Sequence, residues 1–413
     1  MSEKVYFTNL RAKPGTNLLD KLEKLVKRAG IEQIDFKGKL VAIKIHFGEA
    51  GNLAYIRPNY AARIVEIVKA LGGKPFVTDA NTLYVGTRAN AVEHLETAFK
   101  NGFNPITLGC PVIIADGLKG TDYTEIPLGL KHCETAKIGT AIADADIFIS
   151  LNHFKGHEMT GFGGALKNIG MGSGSRGGKL QMHSNSKPYI DLEACMGCRM
   201  CVKNCAQSAI TMNADNKAVI DYALCVGCGQ CIAVCNYNAA RSQWNESLQF
   251  CTEKISEYAL AVVKDKPHFH VNFVMDISPD CDCWNVNDVP IAADVGFFAA
   301  TDPVALDRAS VDAVNQAPMV AGSRLEEAGY KAGDDKFTAR GLAAAPRLKV
   351  LSKGGTGIDS LDQEECARRG SAIRNIPKAF SEPAGDTVLV VMLNFARRFH
   401  EKPDKIRNSA RIK

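Results

Sequence analysis

Eight cysteines between residues 195 and 235 constrain this chain more than any other feature. They form two runs with the same spacing, C-x2-C-x2-C-x3-C: Cys195, Cys198, Cys201 and Cys205, then Cys225, Cys228, Cys231 and Cys235. This spacing is typical of a cubane iron–sulfur cluster, in which three closely spaced thiolates bind three irons and the fourth iron takes a sulfur from elsewhere. The two runs therefore predict two [4Fe–4S] clusters as cofactors.

The fourth ligand of each cluster is expected to come from the other run, as it does in two-cluster ferredoxins. On that pattern Cys195, Cys198, Cys201 and Cys235 hold one cluster, and Cys225, Cys228, Cys231 and Cys205 hold the other. Zinc is one alternative, but a zinc site pairs two C-x2-C elements and leaves the third cysteine of each run without a role. Disulfides are another, and they are not expected in a chain without a secretory signal.

Composition and charge narrow the classes of protein to consider. The chain has 413 residues, 46% of them hydrophobic, and can bury a large core in two or more units. No apolar run approaches the roughly 18 residues of a membrane span, and the first residues lack a signal-peptide pattern, so we expect a cytoplasmic protein. Residues 340–413 carry 15 Lys and Arg against 8 Asp and Glu. Such a basic tail is most often a solvated segment, and nucleic-acid binding is not expected.

Hydrophobic periodicity predicts an α/β fold around the cysteine runs. Strand-like segments at 41–46, 75–78, 112–115 and 147–151 alternate with helix-like segments at 58–71 and 89–100. A helix at 248–264, a strand at 268–275 and a helix at 302–315, capped by Thr301, resume the alternation after the cysteines. We therefore predict an open, mostly parallel sheet domain with an inserted α+β ferredoxin-like module that binds both clusters.

The predicted boundaries follow from this interruption. The α/β host domain spans 1–185 and 244–338, the two-cluster module spans 186–243, and a basic, weakly ordered tail spans 339–413. The tail shows no regular element of useful length. Its role cannot be inferred from the sequence.

Several long segments resemble a family of uncharacterised iron–sulfur centre proteins, the domain of unknown function 362. They are KIHFGEAGN (44–52), VTDANTLYVGTRANAVEHLETAFKNGF (77–103), IADGLKG (114–120), HFKGHEMTGFGGALKNIGMG (153–172), GKLQMHS (178–184), CDCW (281–284) and ATDPVALDRAS (300–310). The resemblance covers residues 1–338 and implies iron–sulfur binding, but it supplies no known reaction. It also includes polar residues that follow two predicted strands, namely His46, Glu49, Asp79, Asn81, Thr82 and Arg88, and so implies that they line a pocket.

Candidate catalytic residues come just after the strand at 147–151. His153, Lys155 and His157 lie where sites form in open α/β sheets, at the carboxyl end of a strand. We predict an acid–base or metal-binding role for the two histidines, with Lys167 and His183 beside them. The alternative is that these are ordinary hydrogen-bonded loop residues.

Residues 161–178 contain eight glycines and end next to Lys179. We expect a flexible loop whose backbone N–H groups bind an anionic substrate. The alternative, a packing and turn role for the glycines, is equally consistent with the sequence. A Walker A loop is excluded because Leu180 stands where its Ser or Thr is required.

Cys281 and Cys283 form a candidate third metal site. In an extended segment, residues two apart point to the same side. The alternative is a pair of reduced, partly buried thiols. The remaining single cysteines, Cys110, Cys133, Cys251 and Cys366, are expected to be structural.

Three functions remain open at this point. The leading hypothesis is a redox protein whose two [4Fe–4S] clusters relay electrons to or from a pocket in the α/β domain. The alternatives are a plain electron carrier with the α/β domain as a docking scaffold, and a metal-dependent enzyme or assembly factor with structural clusters. The partner is a redox protein or a small-molecule substrate, and the sequence does not decide whether the protein is an enzyme.

Overall fold

The computed structural model describes residues 4–84, 86–157, 160–183, 187–205, 207–225, 227, 229–235, 237, 239–241, 248–331, 333–334, 336–337, 350–354 and 372–376. Its strands are β1 (Tyr6–Asn9), β2 (Leu40–Lys44), β3 (Lys74–Asp79), β4 (Val112–Ile114), β5 (Tyr123–Pro127), β6 (Thr135–Gly139), β7 (Ile147–His153), β8 (Lys155–His157), β9 (Gly161–Gly163), β10 (Tyr189–Ile190), β11 (Ile210–Met212), β12 (Ala218–Ile220), β13 (Ala240–Arg241), β14 (His268–Val274), β15 (Gly296–Ala300), β16 (Val350–Gly354) and β17 (Ala372–Ile376). Its helices are α1 (Leu18–Arg28), α2 (Pro58–Ala70), α3 (Ala91–Lys100), α4 (Pro105–Leu108), α5 (Thr140–Ala143), α6 (Ala165–Ser173), α7 (Arg176–His183), α8 (Met200–Asn204), α9 (Gln230–Ala233), α10 (Leu248–Val263), α11 (Pro303–Gln316) and α12 (Arg324–Glu327).

A seven-stranded sheet organises the molecule, with strand order β1-β15-β14-β7-β2-β3-β4. The strands from β14 to β4 are parallel, and β15 and β1 add two antiparallel strands at one edge. The prediction of an open, mostly parallel α/β sheet is confirmed.

The sheet separates two apolar cores because successive side chains of a strand point to opposite faces. In β2, Val41 and Ile43 pack on the face covered by α1 and α2. Ala42 packs on the other face, which α6, α10 and α11 cover. Burial on both faces explains why this strand is almost entirely apolar in sequence.

The cysteine runs lie in a small separate unit, which comes between β7 and β14 in the sequence. This unit runs β10-α8-β11-β12-α9-β13, with β10 paired to β13 and β11 paired to β12, both antiparallel. Tyr189 lies directly opposite Arg241, so the chain enters and leaves the unit at neighbouring points. The predicted boundaries near residues 186, 243 and 338 fall outside the described residues.

The glycine-rich stretch 161–178 differs from the expected loop. It forms β9, all of α6 and the start of α7. Gly170 lets α6 approach α10 closely, because a Cβ atom there would lie 2.1 Å from the Ile255 carbonyl oxygen. Gly170 therefore serves helix packing, and the packing gained outweighs its poor intrinsic helix propensity.

The amino-terminal cap of α11 is also corrected. The Asp302 side chain, rather than that of Thr301, accepts from the Val304 amide at 2.7 Å and from the Ala305 amide at 3.2 Å. Pro303 occupies the first turn, as predicted.

Two strands occur in the segment 339–413, where the sequence predicted no regular element. β16 and β17 pair in parallel, Val350 opposite Ala372. Each has only five residues of mixed polarity, which is too short for periodicity to be detected. The rest of that segment lies outside the described residues. Over the part of the chain that is described, no helix is both long enough and apolar enough to cross a bilayer.

Candidate functional site

A cavity of about 620 Å³ lies at the carboxyl ends of β2, β3 and β7. Open α/β sheets form their sites at this edge. Residues after the three strands line one side, and α6, α7 and α10 close the other. Its volume is in the range of about 300–1,000 Å³ found for small-molecule sites.

The structure brings the candidate residues from the sequence together around this cavity. Its lining includes His46, Glu49, Asp79, Thr82, Arg88, His153, Lys155, His157, Lys167, Lys179, His183 and Cys283. Cys281 lies behind Cys283 and is fully buried. Asn81 bonds Asp116 instead of lining the cavity. A catalytic role for any of these residues stays a prediction.

Asp282 fixes the histidine side of the cavity. Its two carboxylate oxygens lie 2.9 Å from His153 Nδ1, and one of them lies 3.1 Å from Lys155 Nζ. Burial alone would raise the pKa of Asp282, but the charges of His153 and Lys155 outweigh burial and hold that pKa well below its ordinary value. His153 Nε2 lies 2.9 Å from the Met275 carbonyl oxygen. Both ring nitrogens of His153 are thus engaged, which makes it a positioning residue more than a proton acceptor.

A second buried ionic network lies at the carboxyl ends of β2 and β3. Asp79 lies 2.9 Å from Lys44 Nζ and 3.6 Å from Arg88 Nη1. Arg88 Nε lies 3.0 Å from a Glu49 oxygen, while its Nη2 is buried with no hydrogen-bond partner. Arg88 lines the cavity, and its guanidinium charge is suited to an anionic ligand group.

The floor of the cavity carries groups with strongly shifted pKa values. Burial lowers the pKa of Lys179 to about 8, although Asp116 nearby acts in the opposite direction. Burial, with the nearby His157 and Lys167 charges, lowers the pKa of His183 to about 3. At neutral pH Lys179 is therefore mostly an ammonium group and His183 is neutral, a combination that favours an anionic ligand.

The segment with Cys281 and Cys283 is a turn and is not extended. The Trp284 amide donates to the Cys281 carbonyl at 3.1 Å and closes it. Lys167 Nζ lies 2.7 Å from Cys281 Sγ. Among the described residues no three His, Cys, Asp or Glu side chains are arranged around a single ion. With an ammonium group already on the sulfur, the predicted third metal site gains no support.

The cysteine unit contains a small cavity of its own. Cys195, Cys198 and Cys201 of the first run line it together with Cys235 of the second. Backbone amides point at the sulfurs: Ala218 N lies 3.4 Å from Cys195 Sγ, and Ala239 N lies 3.2 Å from Cys235 Sγ. In the other half, the Ala209 amide lies 3.3 Å from Cys205 Sγ. Cys228 lies outside the described residues.

The large cavity and the cysteine unit share a wall. Leu83 lines the cavity and also belongs to the apolar core that contains Cys195, Cys231 and Cys235. Its contact with Gly229 is so close that a Cβ there would lie 2.2 Å from Leu83 Cδ1. The Arg176 guanidinium, next to that contact, donates to the Gln230 side chain. The second cysteine run thus packs directly on the cavity wall.

Sequence reasoning missed several residues of the site, chiefly Lys44, Tyr84, Asp282, Trp284 and Cys251. Cys251 was expected to be structural, but it lines the cavity with its sulfur 3.8 Å from His183 Nδ1. A lysine inside the apolar strand β2 was a usable signal for Lys44, because a buried lysine needs an ionic partner. The others carried no local pattern.

Comparison with known protein families matches most of the chain to one family. The model of the family named domain of unknown function (DUF362) matches residues 41–312. The chain belongs to the DUF362 family. The match spans the parallel strands, the cysteine unit and the cavity residues, so the resemblance inferred from the sequence motifs is confirmed over that range.

The end of this DUF362 protein is similar to a different family. The model of the D-isomer specific 2-hydroxyacid dehydrogenase catalytic domain matches residues 327–396. Glyoxylate/hydroxypyruvate reductase B of Yersinia pestis (strain Pestoides F) and that of Yersinia pseudotuberculosis (strain YPIII) are each 30% identical over 93 residues. That alignment covers 22% of this chain and 28% of either reductase, so the chain spans little more than a quarter of these relatives.

Two solved structures are distantly similar to this DUF362 protein. The lactate racemase apoprotein from Thermoanaerobacterium thermosaccharolyticum is 13% identical with a TM-score of 0.38, covering 72% of this chain and 56% of that one. A structural-genomics protein from Thermotoga maritima is 14% identical with a TM-score of 0.32, covering 64% and 52%. Scores this low do not establish a shared fold.

Proposed function

We propose that this protein is an iron–sulfur redox protein in which two [4Fe–4S] clusters serve a small-molecule site in the α/β domain. The observation that carries the proposal is the shared wall: Leu83 belongs both to the large cavity and to the core of the cysteine unit. When bound, such clusters supply one-electron transfer at potentials set by their surroundings. A cytoplasmic location is part of the proposal, because thiolate ligands are kept reduced there.

The grouping of four cysteines around one small cavity supports crossed ligation of the first cluster. Cys235 comes from the second run and lines the same small cavity as the three cysteines of the first. A cube binds one iron per thiolate and spaces its sulfurs more widely than one ion does. The amides on Cys195 and Cys235 would stabilise thiolate ligands, as hydrogen bonds to cluster sulfurs generally do. These contacts support a ferredoxin-like module.

The large cavity argues for a substrate site over a plain electron carrier. A docking scaffold needs no enclosed space of about 620 Å³, and it needs no buried ammonium and guanidinium groups around that space. Lys155 is held by Asp282, and Lys179 Nζ donates to the Gly174 carbonyl at 2.5 Å, so both stay in place without a ligand. Rigid cationic groups of this kind bind and orient an anion. We infer a small anionic substrate.

The clusters are tested by metal analysis of the full chain purified without oxygen. We expect about eight iron and eight sulfide per chain and a paramagnetic signal after dithionite reduction. Cys205→Ser should damage the cluster of Cys225, Cys228 and Cys231 and leave the other intact, because its fourth ligand is Cys235. Cys110→Ser, in the core of the sheet, is the matched control and should keep full iron. Stoichiometric zinc would overturn the assignment. So would loss, in Cys205→Ser, of the cluster bound by Cys195, Cys198 and Cys201.

A further inference from the structure

The turn Cys281–Trp284 holds two thiols side by side at the edge of the cavity. Besides the bond that closes the turn, the Cys283 amide donates to Cys281 Sγ at 3.4 Å. Residues two apart in a turn fall within the Cα separation of about 4.4–6.8 Å that a disulfide spans. The two sulfurs can therefore be joined with little backbone movement.

The turn is fixed from both sides. Asp282, between the two cysteines, is held by His153 and Lys155, and its carbonyl accepts from the Glu49 amide at 3.1 Å. The preceding segment packs on Gly156, where a Cβ atom would lie 2.2 Å from the Pro279 carbonyl oxygen. Such rigid support keeps a reactive group in one geometry.

The two sulfurs lie in different surroundings. Cys281 is fully buried with Lys167 Nζ at 2.7 Å, whereas Cys283 is half-buried and lines the cavity. Burial would raise the pKa of Cys281, but Cys283, Lys167 and His157 together hold it well below its ordinary value. The pair thus consists of a stabilised thiolate behind an accessible thiol, which is the environment of a reactive cysteine.

We propose that Cys281 and Cys283 are a redox-active dithiol that reduces a small anionic disulfide bound in the cavity. The pair shares one proton, and in the form that carries it on Cys281 the Cys283 thiolate attacks one sulfur of the ligand disulfide. That S–S bond breaks and releases one ligand thiolate, which takes the proton now on Cys281. Cys281 then attacks Cys283 in the mixed disulfide, forms the Cys281–Cys283 disulfide and releases the second ligand thiolate. Two electrons pass from the protein to the ligand.

The charges around the cavity select the ligand. Lys155, Lys179 and Arg88 all line the cavity. Cationic groups lower the energy of a thiolate leaving group and of carboxylates on the ligand. The thiol–disulfide step uses residues of this chain alone and stands apart from the proposed clusters.

The test uses the full chain, reduced, desalted and titrated with oxidised glutathione as the anionic probe. Free thiols are blocked with N-ethylmaleimide, and the peptide containing residues 281–284 is analysed by mass spectrometry. We expect an internal disulfide that dithiothreitol reverses. Cystamine, a cationic disulfide of similar chemistry, should react about tenfold more slowly if the lysines select the ligand.

Variants separate the two cysteines. Cys281→Ser should accumulate a mixed disulfide on Cys283, and Cys283→Ser should not react. Lys167→Met should slow the reaction by about tenfold, because it removes the cation that stabilises the Cys281 thiolate. Lys100→Met, an exposed lysine paired with Glu96, is the control and should react like the parent.

Three results would overturn the proposal. They are no internal disulfide at any glutathione concentration in folded protein, no trapped adduct in Cys281→Ser, and loss of bound iron in either cysteine variant, since iron loss would make the pair cluster ligands. If the parent protein binds no iron but forms the disulfide, the cluster assignment fails and the dithiol stands. If it binds full iron and forms no disulfide, the dithiol proposal fails and the cluster assignment stands.

Discussion

At the scale of single residues, the burial of the Lys179 charge at the cavity opposes folding. Its pKa is lowered from 10.5 to about 8, and at about 1.4 kcal/mol per unit its buried charge costs on the order of 3 kcal/mol. We predict that Lys179→Met raises the Tm at pH 7 by a few degrees and weakens the binding of anions. Thermal unfolding followed by circular dichroism, with anion titration by calorimetry, measures both.

The pH dependence of that effect has a definite sign. Between pH 8 and 10.5 the unfolded chain binds the Lys179 proton and the folded chain does not, so native stability rises with pH in this window. The advantage of Lys179→Met should be complete below pH 8 and should vanish towards pH 10.5. Lys100→Met, at an exposed position, is the control and should change neither the Tm nor the binding of anions. A lower Tm for Lys179→Met at pH 7 would contradict the prediction.

Which residues of the site could be predicted depended on the range of the interaction. His153, His157 and Lys155 follow a strand end, so sheet topology alone placed them at the cavity. Asp282 was not predictable, because its role depends on a contact across 129 residues of sequence with His153. The turn at Cys281 was not predicted for the same reason. Its geometry is set by the Asp282 contacts and not by local propensity.

At the scale of elements, the cap of α11 provides a paired test. Asp302 accepts two amide hydrogen bonds at the start of the helix, whereas Thr301 is exposed and caps nothing. Asp302→Ala should lower the free energy of unfolding by about 1 kcal/mol, and Thr301→Ala should change it by less than about 0.5 kcal/mol. Denaturant unfolding of both variants under the same conditions measures the difference. Equal effects would mean that the cap seen in the structure contributes nothing.

The elements that the sequence predicted well are those buried on both faces or amphipathic over several turns. β2, β3 and β7 are apolar runs, and α2 begins at Pro58 and ends before Gly72, both strong local signals. β1 at the edge of the sheet and its antiparallel neighbour β15 were not predicted. α6 was missed because its glycines have low helix propensity in isolation. Only the approach of α10 explains Gly170, and no local pattern contains that contact.

At the scale of the whole molecule, the sheet is assembled from segments on both sides of the cysteine unit. β7 precedes the unit and β14 follows it, yet the two strands are parallel neighbours with Ser150 opposite His270. Residues 189–241 therefore contribute no strand to this sheet. This arrangement makes the cysteine unit an insertion in the structural sense, and it places the second run against the cavity wall at Leu83.

Excision of the cysteine unit tests whether the α/β domain folds without it. Tyr189 and Arg241 are directly opposite in an antiparallel pair, so their Cα atoms lie about 4.5–5.5 Å apart and a short Gly-Ser linker can replace the residues between them. We predict a folded but less stable protein, because Leu83 and Leu180 lose apolar contacts worth about 1.5–3 kcal/mol each. Far-UV circular dichroism and thermal unfolding should show a cooperative transition at a lower Tm.

A second deletion makes that result decisive. β5 and β6 also form a separate antiparallel pair outside the main sheet. Ala136 and Ile138 of β6, however, are fully buried in the core on one face of that sheet. Replacing the hairpin by the same linker should abolish cooperative unfolding, since the sheet loses part of the core that covers it. If both deletions unfold the protein, the cysteine unit belongs to the folding core of the α/β domain. The shared wall at Leu83 would then be a structural requirement of the α/β domain.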